Sequence, residues 1–142
     1  MTIPYRIRVA DWSADRDKLR SVREAVFVVE QNVPLELEWD EEDERCVHVV
    51  AQTKDGTAIG TGRLLPDGHI GRMAVLRGWR RRGVGSALLE KLVDLAGHAG
   101  HMVARLHAQS YVVDFYQRHG FTLEAEEFME AGIAHRYMTR VL

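Results

Sequence analysis

A single cysteine, Cys46, in 142 residues makes an intramolecular disulfide impossible and argues against a small secreted scaffold held by bridges. Long apolar runs are missing too. None approaches the ~18 residues that a membrane-crossing helix needs. The start, Met1-Thr2-Ile3-Pro4-Tyr5-Arg6, lacks the basic-then-apolar order of a secretory leader. No Gly/Ser-rich or Pro-rich linker divides the chain, and no repeat appears at solenoid periods. An excess of positive charge is also absent: the formal net charge is -2. General attraction to nucleic acid or anionic membrane is therefore not indicated. These absences point to a cytoplasmic protein with no nucleic-acid and no membrane partner.

What is present fits one globular domain over residues 1–142. Hydrophobic residues make up 46% and charged residues 28%, and the length suffices for a real core. Residues 5–10 alternate in polarity like a strand with one buried face. Asp15 or Ser13 suits the cap of a helix over about 15–30, with Leu19, Val22, Val26 and Val29 on one face. Residues 46–53 and 58–65 read as strands joined by Lys54-Asp55-Gly56-Thr57, a tight antiparallel hairpin. Pro66-Asp67-Gly68 turns the chain into a strand at 69–76. Val84, Leu88, Leu92, Leu95 and Ala96 recur at helical spacing, and Gly97 and Gly100 end that helix. An apolar strand at 102–108 precedes a short helix over about 111–119. There Gly120 suits the left-handed closing position, with Phe121 folded back on Tyr116. Two more strands, 121–128 and 134–142, meet through Ala131-Gly132. The order predicts a mixed α/β (α+β) domain.

The densest chemistry follows strand 69–76, in Arg80-Arg81-Arg82-Gly83-Val84-Gly85-Ser86. A helix start leaves backbone N–H groups unpaired and carries partial positive charge. Glycines let an anion approach that backbone, and arginines add forked donors matched to phosphate. All three features fall within seven residues, which predicts a phosphate or pyrophosphate site. A P-loop is excluded because no lysine follows the glycines. The dinucleotide fingerprint is excluded because Leu88 holds its third glycine position.

Arg80-x-x-Gly83-x-Gly85, preceded by a strand ending Met73-Ala74-Val75, resembles the coenzyme A signature of the GNAT N-acetyltransferases. Val113-Asp114-Phe115-Tyr116-Gln117-Arg118-His119-Gly120-Phe121 resembles that family's late helix. The likeness in spacing and element order spans essentially the whole chain. More narrowly, Arg23-x-x-Val26-Phe27-Val28-Val29-Glu30-Gln31, the acidic residues up to Asp43, and Gly132-Ile133-Ala134-His135-Arg136-Tyr137-Met138 resemble its ElaA/YjcF-like branch.

The resemblance implies a mostly antiparallel sheet of about seven strands with a central parallel pair, flanked by helices. It implies direct transfer of an acetyl group from acetyl-CoA, as co-substrate, to a primary amine. Arg80, Arg81, Arg82, Gly83, Val84, Gly85 and Ser86 would hold the pyrophosphate, chiefly through backbone amides. Met73, Ala74 and Val75 would pair with the pantetheine arm, and Gln109, Phe115 and Tyr116 would also lie beside the coenzyme. Tyr116 would protonate or hydrogen-bond the departing thiolate. The acceptor would be a small-molecule or peptide amine; a homodimer is left open, and no metal is implied.

The general base is not evident. Many members carry a glutamate in the strand that here reads His69-Ile70-Gly71-Arg72, and a guanidinium offers no basic lone pair. Glu30 and His135 are the preferred candidates, ahead of Asp40, Asp43 and His107. The missing glutamate keeps a second reading open, a non-catalytic acyl-CoA-binding module of the same fold. Seven carboxylates between 36 and 44 read either as a solvated loop or as a steering surface for a cationic amine. Cys46 reads as a buried structural thiol, and His98 and His101 as helix-end residues.

Overall fold

The computed structural model describes residues 4–38 and 40–142; residues 1–3, part of the leader reading, and Trp39 lie outside them. Strand β1 (Tyr5–Ala10) leads into helix α1 (Trp12–Arg23), capped by Asp11, whose carboxylate accepts from the Ser13 amide at 3.0 Å. Neither expected cap residue does this work, because Asp15 is taken by Arg8. Two bonds of 2.8 and 2.9 Å join the Arg8 guanidinium to Asp15, and the Asp11 amide adds a third at 2.9 Å.

The Arg8 hydrogen bonds pull the Asp15 carboxyl down to about 2. A carboxyl depressed in the folded state stabilises fully above its unfolded value near ~4 and loses that contribution as pH falls. Asp15→Asn is therefore expected to lower unfolding free energy by about 2 kcal/mol at pH 7. In urea titrations the difference from wild type should shrink between about pH 4 and 2.

Past Arg23 the helix widens to π winding over Glu24–Glu30. Leu19, Val22 and Val26 face the core as the spacing predicts, but the wider turn rotates Val29 out to 73% exposure. Helix α2 (Leu35–Glu38) and a 3-10 turn (Glu41–Arg45) follow. Strands β2 (Val47–Thr53), β3 (Ala58–Leu64) and β4 (His69–Val75) then run antiparallel, each to the next. Both expected turns form, with Gly56 at φ 88° and Gly68 at φ 93°. Helix α3 (Val84–His98) crosses back to β5 (Val103–Gln109), and the left-handed residue closing α3 is Gly100, Gly97 lying inside it. Helix α4 (Val113–Arg118) ends as expected: the Phe121 amide donates to the Tyr116 carbonyl and the Gly120 amide to that of Gln117. The Phe121 ring meets Tyr116 edge-on at 6.1 Å.

The tail holds three strands where two are expected. The 121–128 segment breaks into β6 (Thr122–Leu123) and β7 (Phe128–Glu130), both paired with β8 (Ile133–Val141). Among the described residues the sheet thus has eight strands in the order β1-β2-β3-β4-β5-β8-β6, with β7 also on β8, and a single parallel pair, β4–β5.

Both faces of the central strands are buried. Val49 and Ala51 of β2 join the cluster under α3, whereas Val50 joins the cluster under α1. Gly60 and Gly62 set the depth of α3. A Cβ there would come within 2.9 Å of Leu88 and 2.7 Å of Leu92. This close approach brings the start of α3 down onto the end of β4.

Candidate active site

The β4–β5 pairing lasts for two positions, His69 with Arg105 and Ile70 with Leu106. Beyond Ile70 the strands part. On its other edge β4 carries a bulge, with Arg72 and Met73 set against Gly62. Arg72 sits at φ 49°, a left-handed conformation that costs a residue with a side chain about 1–2 kcal/mol. The bulge bends β4 where it leaves β5, and among the described residues the outer edge of Met73–Val75 has no strand neighbour. A cleft of about 1120 Å³ occupies the splay, bounded by Met73, Ala74 and Val75 on one side and Gln109, Phe115 and Tyr116 on the other.

At one end of the cleft lies the start of α3. Its cap residue Gly83 is left-handed at φ 82°, with right-handed Val84 next, which turns successive N–H groups to one side. Among the described residues no side chain caps this helix, in contrast to α1. Gly83, Gly85 and Ser86 line the cleft, while the Val84 side chain is buried under the sheet. Free amide donors, the dipole and room above two glycines fit a diphosphate.

The three arginines separate. Arg81 lines the cleft at φ 62°. Arg82 stacks over the Trp79 ring at 5.0 Å and is not among the cleft-lining residues, so it contributes by backbone position. Arg80 forms a two-pronged pair with Glu30, both bonds 2.7 Å, and its Nε donates to the Val75 carbonyl at 3.0 Å. Two residues expected in different roles are thus bound to each other. The Arg80 hydrogen bonds hold the Glu30 carboxyl below the usual range, which makes it a weaker base and suits it to fixing Arg80.

Tyr116 points its hydroxyl across the splay, with Met73 Sδ at 3.9 Å. Burial pushes its phenol up to about 12. Gln109 exchanges side-chain hydrogen bonds with Gln31, the shorter 2.8 Å, which ties the segment after α1 to the end of β5. Ser86 Oγ lies 3.0 Å from His119 Nε2, while His119 Nδ1 meets Glu90 at 2.7 Å.

The other end of the cleft overturns both readings of the acidic stretch, solvated loop and steering surface, at three of its carboxylates. Glu38, Asp40 and Asp43 are turned inward onto Arg23, Arg63 and Arg72, and Glu38 and Asp43 are each 2% exposed. Burial raises the Glu38 carboxyl even beside Arg23. For Asp40 burial acts the same way, but the Arg63 hydrogen bonds outweigh it and leave the carboxyl lowered. Three cations face three anions, so this wall carries no net charge. Sequence reasoning missed it because the partners lie 15 or more positions away.

His135, on β8, is 7% exposed and lines the cleft. Its Nδ1 lies 2.7 Å from the Ile133 carbonyl, which can only accept, so Nδ1 carries a hydrogen, and in the neutral ring the lone pair is on Nε2. Nε2 is 3.6 Å from Glu130 Oε2, and Oε1 of the same carboxylate is 3.2 Å from His107 Nδ1. Glu130 drew no attention in the sequence; only its place two residues before Gly132 could have flagged it.

Cys46 is half-buried, and its thiol is pushed up to about 11 by burial, so it is protonated and inert as a nucleophile. His98 bonds the Asp94 carbonyl at the end of α3. Among the described residues no cluster of three His, Cys, Asp or Glu is placed to hold a metal, and no helix is long and apolar enough to cross a membrane.

A family model described as an acetyltransferase (GNAT) domain matches residues 15–142. The N-acetyltransferase YjcF of Bacillus subtilis (strain 168), itself uncharacterised, is 40% identical over 124 residues, 84% of this chain and 87% of the relative. Among solved structures, Escherichia coli ElaA superposes with a TM-score of 0.84 at 28% identity, covering 96% of this chain and 99% of that one. An acyl-CoA N-acyltransferase from Pseudomonas aeruginosa superposes with a TM-score of 0.83, also at 28% identity, covering 99% and 100%.

Proposed function

Because this chain belongs to the GNAT acetyltransferase family, we propose that it moves an acetyl group from acetyl-CoA to a primary amine by direct transfer in a ternary complex. The observation that carries this reading is a juxtaposition. An uncapped helix start and an unpaired strand edge border one cleft, and a tyrosine hydroxyl points across it. In the reaction the amine lone pair forms a C–N bond to the thioester carbonyl carbon, the C–S bond breaks, and its electron pair leaves on sulfur.

The residues divide the work accordingly. The amides at Gly83, Val84, Gly85 and Ser86, with Arg81 beside them, receive the diphosphate. The outer edge of Met73–Val75, whose Val75 carbonyl is held by Arg80, offers its remaining backbone groups to the amides of the pantetheine arm. Arg80, fixed by Glu30, sits where this edge meets the diphosphate site. A phenol at about 12 keeps its proton beside a thiolate whose parent thiol ionises near ~8.5. Tyr116 therefore acts by donating a hydrogen bond to the sulfur as charge builds there, without giving up its proton. His135 Nε2 takes the proton from the attacking nitrogen; its tautomer, set by the Ile133 carbonyl, supports that role over the one expected of Glu30.

Thiol release from acetyl-CoA with a panel of primary amines tests the reading. Turnover on at least one amine is expected; coenzyme binding with no turnover on any would favour the non-catalytic module instead. Tyr116→Phe removes one hydrogen bond to a developing charge, worth about 2 kcal/mol, so kcat should fall about thirtyfold with coenzyme Kd nearly constant. An unchanged kcat would remove Tyr116 from the mechanism.

A further inference from the structure

Among the carboxylates at the acceptor end of the cleft, Glu38 and Asp40 are matched by arginines. Glu130 is different. It lines the cleft, its side chain is 47% exposed, and among the described residues it pairs with no arginine or lysine, only with His107 and His135. Its position is set by the chain itself. Ala131 at φ 52° and Gly132 at φ 76° make the two-residue turn between β7 and β8, which holds Glu130 opposite Ile133. Phe128 packs edge-on against His107 at 5.2 Å and stacks on His135 at 5.9 Å, steadying both rings.

We propose that Glu130 is the residue that receives the acceptor as its ammonium ion, which makes the preferred substrates cationic primary alkylamines. This rests on the transferase reading and deepens it. A carboxylate is an acceptor-only group, and the ammonium of an alkylamine brings three donors. The 3.6 Å between Glu130 Oε2 and His135 Nε2 lets one N–H face the carboxylate while another faces the basic lone pair.

The arrangement also answers a difficulty of binding an amine as its cation. Pairing with a carboxylate stabilises the ammonium and would by itself oppose its loss of a proton. Here one ammonium proton moves to His135 Nε2, and the imidazolium formed faces the same carboxylate; the second proton, shed by nitrogen as the C–N bond forms and the C–S bond breaks, goes to the departing sulfur, which leaves as the thiol. Positive charge shifts by a few ångströms within the field of Glu130 and is never left without a partner.

The test compares two nucleophiles at pH 7.5, an unbranched alkylamine, which is a cation there, and an acyl hydrazide, which is neutral. Wild type, Glu130→Gln and Glu130→Asp are assayed with acetyl-CoA, and coenzyme affinity serves as the check on folding. The ratio of kcat/KM for alkylamine over hydrazide is expected to fall at least tenfold in Glu130→Gln, through a raised alkylamine KM, and to recover in part in Glu130→Asp. Losses in equal proportion on both nucleophiles, or a ratio that stays at the wild-type value, would overturn the assignment while leaving the transferase reading in place. Wild-type protein that binds coenzyme but acetylates neither nucleophile, nor any other amine, would overturn both.

Discussion

Arg23→Met is expected to cost the fold about 3–5 kcal/mol, the range for breaking a buried ion pair on one side. The guanidinium is 1% exposed; it donates to Glu38 Oε1 at 2.5 Å, to Asp43 Oδ1 at 2.9 Å and to the Glu38 carbonyl at 2.9 Å. Methionine matches the length of the apolar stem but supplies none of these donors. Asp43 keeps Arg63 at 2.8 Å, whereas among the described residues Glu38 keeps only Arg72 at 3.6 Å, so the loss falls mainly on Glu38. A buried carboxylate left with so distant a partner must either stay charged at a high desolvation cost or take up a proton. The urea midpoint of the variant should fall accordingly, with an unchanged slope. The double variant Arg23→Met/Glu38→Met separates charge from packing. Since a buried pair replaced whole by apolar groups is often near neutral, it should regain most of the loss. A double variant as unstable as the single one would mean that the cluster is held by shape, not by matched charge.

This cluster marks the boundary of what the chain discloses when read alone. Features set by neighbouring residues were legible. Asp55-Gly56 closes the β2–β3 hairpin, and Gly120 ends α4 with Phe121 folded onto Tyr116, because turn and cap chemistry act over four or five positions. The strand, loop and helix around Gly83 were legible for the same reason. Features decided by distant partners were not. Asp15 reads as a cap until Arg8 is seen to hold it, and the acidic stretch reads as a surface until Arg23, Arg63 and Arg72 arrive from α1, β3 and β4. The left-handed Arg72 has no local signature, since glycine or asparagine would be the usual occupant of such a bulge. The π turn over Glu24–Glu30 is likewise hidden, because its apolar spacing fits an ordinary helix until Val29 is found outside.

The same distinction governs the site. The segment proposed to cradle the diphosphate is one continuous stretch, so its pattern lies open in the sequence. The opposite end of the cleft is assembled from β4, β5, β7, β8 and the segment after α1, so its residues come together only in the folded sheet. Arg80 and Glu30, 50 positions apart, were expected separately and are one unit. His135 was expected, but the carbonyl that sets its tautomer and the carboxylate beside it were not.

Gly85→Asp should move stability and coenzyme affinity in opposite directions. Gly85 lies in the first turn of α3, and a Cβ built there would meet Phe115 at 3.6 Å and Val75 at 3.9 Å, ordinary contact distances. The substitution therefore fits. It replaces a poor helix former, and it sets a negative charge beside the unpaired amides of an uncapped helix, each effect favouring the free protein by up to about 1 kcal/mol. The melting temperature of the free variant should hold or rise. For the coenzyme the same carboxylate is a competitor on the same donors and a like charge to the diphosphate. At roughly 5 Å and an effective dielectric of about 20, one such repulsion is worth about 3 kcal/mol, or on the order of 100-fold in Kd. Gly85→Ala isolates the charge, since it adds the Cβ alone and should weaken binding far less. Calorimetric titration of coenzyme A into the three proteins, repeated in added salt, gives the measurement, and salt should narrow the gap between the aspartate variant and wild type. Should Gly85→Asp bind as tightly as the glycine protein, the diphosphate does not lie at the start of α3, and the role given to that helix falls with it.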